Sequence, residues 1–148
     1  HKGLPNWAIE SLISHQEDKR EFVYDLHDFE FAKTHDLYWN SAQIQLLKYG
    51  YIHGYMRMYW GKKILEWTKN FQEGIKIALY LNNKYQLDGR NPNSYVGILW
   101  CFGLHDRGWK ERSIFGKIRY MNENGLKRKF DIDRYVNNFS NSNQIEIF

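Results

Sequence analysis

Asn82 stands where a predicted amphipathic helix should carry an apolar side chain. The helix covers residues 70–85, and its apolar stripe consists of Ile75, Ala78 and Leu79. An amide that faces a core without hydrogen-bond partners costs about 1–3 kcal/mol. Asn82 is therefore either a structural residue whose hydrogen bonds are satisfied within the protein or a residue that faces a bound ligand.

Arg57 occupies a comparable position in a predicted helix over residues 53–67, where Trp60, Gly61 and Ile64 are its helical neighbours. An arginine in such surroundings either extends to solvent or pairs with a carboxylate. Asp88, in the turn after the next helix, is the nearest candidate partner in the sequence. An Arg57–Asp88 ion pair could fix that turn alone or form part of a ligand site.

Three tryptophans could pass electrons. Trp60 and Trp67 are seven residues apart, which is about 10 Å of rise on nearly one face of a helix. Trp39, on the preceding predicted helix, could pack beside them. Indole is among the most easily oxidised side chains, so the three residues are either ordinary core residues or a relay that ends at a redox cofactor.

Aromatic and basic residues alternate in the C-terminal half of the chain. Trp100 and Trp109 flank a glycine-containing loop, and residues 107–134 carry nine Lys or Arg against four Asp or Glu. Residues 1–36 have the opposite balance, with four Lys or Arg against eight Asp or Glu. Stacking residues among cations suit bases and phosphates, although a basic surface loop has the same composition.

The elements that position these residues are predicted to be helices only, which gives an all-α fold class. Asp36 is the expected N-cap of a helix that Gly50 ends, and Asn70, followed by Glu73, starts another with a capping-box pattern. The chain has two prolines and no convincing alternating pattern typical of strands. Predicted helices cover residues 5–16, a short stretch after Asp25, 36–49, 53–67, 70–85, 93–100 and 131–136, with an irregular stretch over 103–125.

Several protein classes are excluded by what the sequence lacks. Cys101 is the only cysteine, so an intrachain disulfide is impossible, and we expect a location in the cytoplasm of a prokaryote or the nucleus of a eukaryote. No stretch reaches the roughly 20 apolar residues of a membrane span. Dinucleotide and phosphate-loop glycine motifs, paired metal-binding cysteines and a nucleophile elbow are also missing, which argues against a hydrolase or a metal enzyme.

Long ordered strings of residues resemble the class II cyclobutane pyrimidine dimer photolyases. They cover residues 52–67, 80–85, 87–92, 103–112 and 115–121, within a resemblance that extends over about residues 3–136. The resemblance implies the C-terminal part of a helical FAD-binding domain of the photolyase and cryptochrome type over residues 1–136, followed by a polar tail over 137–148.

The resemblance also implies an activity, a cofactor and a partner. Such a lyase repairs DNA that contains cyclobutane pyrimidine dimers: light-excited, fully reduced FAD donates one electron, the ring splits, and the electron returns. The lesion is flipped out of the duplex to reach the flavin. A cryptochrome-like flavin photoreceptor and a flavin-free helical nucleic-acid-binding module are the alternatives.

Site residues follow from the same resemblance. Asn82 matches the asparagine that faces flavin N5, and Arg57 and Asp88 match an ion pair that lies against the flavin ring. The expected cofactor-binding residues are Arg57, Asn82, Asp88, Gly89 and Asp106. The expected photoreduction relay has Trp67 nearest the flavin, followed by Trp60 and then Trp39. The expected lesion and duplex contacts are Met58, Trp100, Trp109 and Arg119.

By this resemblance, we expect the N-terminal α/β antenna domain and the earlier flavin-domain helices of that family to be missing from the chain. We therefore expect the missing N-terminal region to be a partner, and the chain alone to hold an incomplete site, to bind FAD poorly or not at all and to be inactive. Apolar faces left exposed would favour a homo-oligomer.

Overall fold

The computed structural model describes residues 4–87, 114–115, 121–129 and 131–139. Within these ranges the chain forms helices and no strands, which confirms the all-α prediction. The helices are α1 (Asn6–Ser14), α2 (Leu26–Glu30), α3 (Leu37–Tyr49), α4 (Gly54–Glu66), α5 (Phe71–Tyr85), α6 (Glu123–Lys129) and α7 (Ile132–Phe139). None of the described helices is long and apolar enough to cross a membrane.

Side-chain caps fix the starts of the helices that carry the site. The Asp36 carboxylate accepts hydrogen bonds from the backbone N–H groups of Tyr38 and Trp39 at 2.8 and 3.2 Å and so begins α3. Asn70 accepts from the backbone N–H of Glu73 at 2.9 Å and begins α5. Both caps were predicted, and they set the rotation of each helix from its first turn.

Gly50 ends α3 in the left-handed conformation, with φ of +77°. Its carbonyl accepts from the backbone N–H of Leu87 at 2.9 Å, and a Cβ at position 50 would lie 2.6 Å from Leu87 Cγ. The end of α3 is thereby joined to the chain that leaves α5, at the edge of the described region.

Other boundaries differ from the predicted ones. Helix α1 starts at Asn6, after an extended Pro5, and Ile13 is 48% exposed instead of joining the apolar side. Helix α6 was not predicted; Asn122 caps it by accepting from the backbone N–H of Gly125 at 2.9 Å. Helix α7 extends the predicted 131–136 segment to Phe139, and the predicted helix over 93–100 lies outside the described residues.

The core forms where α3 packs against α4 and α7, and α4 against α5. Its largest buried side chains include Trp39, Trp60, Tyr59, Phe29 and Phe71. Burial of aromatic residues of this size supplies much of the free energy that holds the helices together. Helix α4 lies between α3 and α5, so side chains on both of its flanks are fixed by packing.

Candidate functional site

Asn82 is buried in the structure, at 2% exposure, as its place on the apolar stripe predicted. Its Oδ1 accepts a hydrogen bond from Arg57 Nη2 at 3.1 Å. The donor is a guanidinium, so the bond is stronger than one between neutral groups. It joins the second half of α5 to the first half of α4.

The partner expected for Arg57 was Asp88, which lies outside the described residues. Arg57 itself is half-buried on α4, and Met58, next to it, packs against the core while remaining half-buried. The other predicted site residues that lie outside the described ranges are Gly89, Trp100, Asp106, Trp109 and Arg119.

The three candidate relay tryptophans are all buried and adjoin one another. The rings of Trp39 and Trp67 meet edge to face, with centroids 6.3 Å apart and an interplanar angle of 68°. The indole N–H of Trp39 donates to the main-chain oxygen of Trp60 at 2.9 Å. Trp39 therefore contacts both the ring of Trp67 and the main chain of Trp60.

This arrangement bears on the order of the candidate relay, in which the resemblance places Trp67 nearest the flavin. Trp60 follows Arg57 by one helical turn, whereas Trp67 follows it by ten residues, about 15 Å along the axis of α4. Along the chain, Trp60 is thus closer than Trp67 to the Arg57–Asn82 pair. Trp60 and Trp67 lie on nearly the same helix face, so their spacing did not show which of them is closer to Arg57 and Asn82.

An aromatic cluster that the sequence analysis missed surrounds Trp67. The rings of Tyr24 and His35 lie 5.8 and 4.9 Å from it, both edge-on, and Phe22 stacks on His35 at 3.8 Å. The Tyr24 hydroxyl lies 2.6 Å from His35 Nδ1. These residues come from non-helical segments with no periodic pattern, so spacing gave no signal for them.

A cleft of about 660 Å³ opens beside this cluster. Trp67 lies in its wall together with His35, Tyr59, Lys63 and Glu66. The Lys63 ammonium lies over the Tyr59 and Trp67 rings, 5.4 and 5.8 Å from their centroids, and pairs with Glu66 at 2.9 Å. The buried Trp67 therefore borders a cleft that has charged side chains in its wall.

Gln43 is a second residue that the sequence analysis missed. It is fully buried on α3, where its Oε1 accepts from the indole N–H of Trp60 at 2.8 Å. Its Nε2 donates to the main-chain oxygen of Glu30 at 3.0 Å. Gln43 lies one turn after Trp39 on the same helix, which is the signal that could have identified it.

Glu30 connects α2 to the C-terminal end of α5. Its Oε2 accepts from Lys84 Nζ at 2.8 Å and from the hydroxyl of Tyr85. Burial raises the pKa of the Glu30 carboxyl, but the two hydrogen bonds outweigh this effect and hold its pKa below the usual value. Asn82 lies two and three residues before these anchors, so the Glu30 contacts fix the part of α5 that carries it.

Comparison with known proteins gives a consistent set of relatives. The chain is 59% identical over 133 residues to a deoxyribodipyrimidine photo-lyase of Methanothermobacter thermautotrophicus, covering 90% of the chain and 30% of that protein. It is 55% identical over 135 residues to the protein of that name from Oryza sativa subsp. japonica, covering 90% and 27%. The Potorous tridactylus protein of the same name is 52% identical over 140 residues, covering 94% and 26%.

No family model matches the chain. The chain spans about 26–30% of the length of these curated relatives.

Proposed function

We propose that this chain, which resembles the deoxyribodipyrimidine photo-lyases over about nine-tenths of its length, forms part of a light-driven DNA repair lyase. Its substrate class is DNA that contains cyclobutane pyrimidine dimers, and its cofactor is FAD. The resemblance of residues 52–67 and 80–92 further supports assignment to class II.

The hydrogen bond between the half-buried Arg57 and the buried Asn82, one turn from Trp60, is the observation that carries this proposal. An amide and a guanidinium that are held together by a hydrogen bond suit a planar heteroaromatic ring with a polar edge. Arg57 and Asn82 would hold the ring, with Asp88, Gly89 and Asp106 as further cofactor-binding candidates. When bound and reduced, FAD supplies the photoexcited electron that splits the dimer.

In this chemistry, the side chains of the protein position the cofactor ring and supply it with electrons. Asn82 orients the polar edge of the ring, and Arg57 favours negative charge beside it. Trp60, Trp39 and Trp67, in that order, form the path by which an electron reaches the cofactor from the cleft. This proposed order differs from the one that the resemblance implies, in which Trp67 is nearest the flavin.

DNA binding is assigned to the side of the chain that carries Met58. Met58 would contact the flipped lesion together with Trp100, and Trp109 and Arg119 would hold the duplex around it. The excess of cations in residues 107–134 supports binding to phosphates.

The chain spans only part of the length of these relatives, and this affects the activity that it can have without the remainder. We propose that the remainder of such proteins completes the FAD site, so that this chain by itself holds FAD weakly and splits no dimers. The remainder would then act as its partner when the two parts are supplied separately.

The test is a titration of FAD into the purified chain, alone and after co-expression with the remaining part of the Methanothermobacter thermautotrophicus relative. We expect weak binding by the chain and stoichiometric flavin with light-driven dimer splitting in the assembled protein. An assembled protein with flavin but no dimer splitting would favour a cryptochrome-like photoreceptor. Salt-sensitive DNA binding without flavin would favour a nucleic-acid-binding module.

A further inference from the structure

Both buried tryptophans of the inner path donate their indole N–H groups to amide carbonyls. Trp60 donates to the side-chain oxygen of Gln43 at 2.8 Å, and Trp39 donates to the main-chain oxygen of Trp60 at 2.9 Å. Neither tryptophan is more than 1% exposed. The acceptor of each N–H group is therefore an amide oxygen and not a carboxylate or an imidazole.

The orientation of the Gln43 amide is fixed by its second contact. Its NH₂ group donates to the Glu30 carbonyl, which can only accept, so the oxygen must face Trp60. In the flipped orientation, the NH₂ group would face the indole N–H of Trp60 and the oxygen would face the Glu30 carbonyl, so both hydrogen bonds would be lost. Gln43 thus presents Trp60 with an acceptor that is not a base.

That distinction matters when an indole is oxidised. Loss of one electron makes the indole N–H strongly acidic, and a neighbouring base removes the proton to leave a neutral radical. The neutral radical is a poor electron acceptor until it regains a proton, so it stops onward transfer. An amide oxygen accepts the hydrogen bond and stabilises the positive charge, but it does not take the proton.

We propose that Gln43 is a positioning residue for photoreduction, which keeps the proton on Trp60 while the electron path operates. This inference rests on the proposed function. With FAD bound, Trp60 would supply one electron to the isoalloxazine ring, Trp39 would return one to Trp60, and Trp67 would return one to Trp39. A thiol-class reductant in solution would return one electron to Trp67, release its own proton and be oxidised to the disulfide. No proton leaves Trp60 or Trp39 in these steps.

The test compares the wild-type chain with Q43E and Q43M, and it does not require flavin. A photogenerated tris(bipyridine)ruthenium(III) oxidant removes one electron from the tryptophans, and time-resolved visible absorption distinguishes the indolyl radical cation from the neutral radical. The buried carboxyl that Q43E introduces should titrate above the usual range, so the spectra are recorded from about pH 6 to about pH 10. Q45E introduces a carboxylate on the same helix, at a buried glutamine that contacts His53 and Tyr135 instead of a tryptophan.

In Q43E the radical cation should decay about a hundredfold faster once the introduced carboxyl ionises. This factor is the lower end of the rate enhancement that a positioned base gives to proton transfer. The decay should slow in heavy water, and the spectra of Q45E and the wild-type chain should show neither change. Q43M, which keeps the side-chain volume but offers no oxygen acceptor, should give a smaller yield of the radical cation without faster deprotonation. Identical radical spectra and lifetimes in Q43E and the wild-type chain over the whole pH range would overturn the proposal.

A second measurement uses the assembled flavin protein. We expect Q43E to lose photoreduction above the pH at which its new carboxyl ionises, while dimer splitting by chemically reduced enzyme is retained. Failure to bind FAD would count against the proposed function and leave the ruthenium result to decide the role of Gln43. Photoreduction of Q43E equal to wild type at high pH would count against the inference alone.

Discussion

The guanidinium of Arg57 and the amide oxygen of Asn82 lie 3.1 Å apart, on two different helices. Helices α4 and α5 pack directly against each other, and the Asn82 side chain is enclosed at their contact. In the proposed function, this hydrogen bond is where the electron path through Trp60 would meet the ring of the cofactor.

Replacement of Asn82 with alanine should lower both stability and FAD affinity. The substitution leaves the Arg57 contact unmade in a buried site, so the free energy of unfolding should fall by about 1–3 kcal/mol. Urea unfolding of the chain and FAD titration of the assembled protein measure the two effects. Asn83, the exposed neighbour on α5, provides the control: N83A should change neither quantity. Equal effects of N82A and N83A would show that Asn82 has no special role.

Trp39 should be required for photoreduction and dispensable for repair. Because it contacts both the ring of Trp67 and the main chain of Trp60, W39F should abolish most light-driven reduction of bound FAD, whereas dithionite-reduced W39F should still split dimers. The control is W7F, which changes a half-buried tryptophan of α1 outside the path. If W39F photoreduces as fast as W7F, electrons use another route.

The contacts of Glu30 should make stability dependent on pH at both ends of the range. The folded-state pKa of Glu30 is lowered, so its contribution is present above the ordinary value of 4.5 and is lost as the pH falls through the lowered value. Hydrogen bonding to Glu30 raises the pKa of Lys84, and burial raises that of Tyr85. Their contributions are present below the ordinary values of 10.5 and 10.0 and are lost as the pH rises further.

Chemical denaturation of the wild-type chain and E30Q across this range tests the assignment. E30Q should be less stable at neutral pH, and the difference between the two proteins should shrink below about pH 4, where the wild-type carboxylate becomes protonated. A difference that stays constant from neutral to acidic pH would show that the carboxylate charge contributes nothing.

Gly50 should not tolerate a side chain. G50A must place a Cβ at a positive φ and 2.6 Å from Leu87 Cγ, so we expect a loss of at least about 1 kcal/mol in the free energy of unfolding. G54A is the matched control, since nothing lies within 4 Å of a Cβ there and its φ is ordinary. G54A should be neutral or slightly stabilising in thermal denaturation. Equal melting temperatures for the two variants would contradict the described junction.

The sequence predicted those site residues that break a pattern. Asn82 interrupts an apolar stripe, and its burial followed from the helical period alone. Asp36, Asn70 and Gly50 gave the bounds of α3 and the start of α5 because each makes a local contact with its own helix. Such features depend on neighbours within a few residues.

Gln43 and the order of the tryptophans required three-dimensional information. Helix α3 buries Asn40, Ser41, Gln43 and Gln45, so polarity along it does not distinguish the face toward Trp60 from any other. The Trp39–Trp67 contact depends on how α3 crosses α4, which periodicity does not fix. The positions of His35 and Tyr24 depend on loops, whose paths are set by tertiary contacts.

Glu30 engages two different parts of the molecule through two different groups. Its main-chain oxygen holds the amide of Gln43, and its carboxylate holds Lys84 and Tyr85. Substitutions at Gln43 and at Lys84, which lie on different helices and share Glu30 as a partner, should therefore be energetically non-additive. Evolution at one of the two positions would constrain the other, so that sequence changes around Trp60 and sequence changes in α5 are not independent.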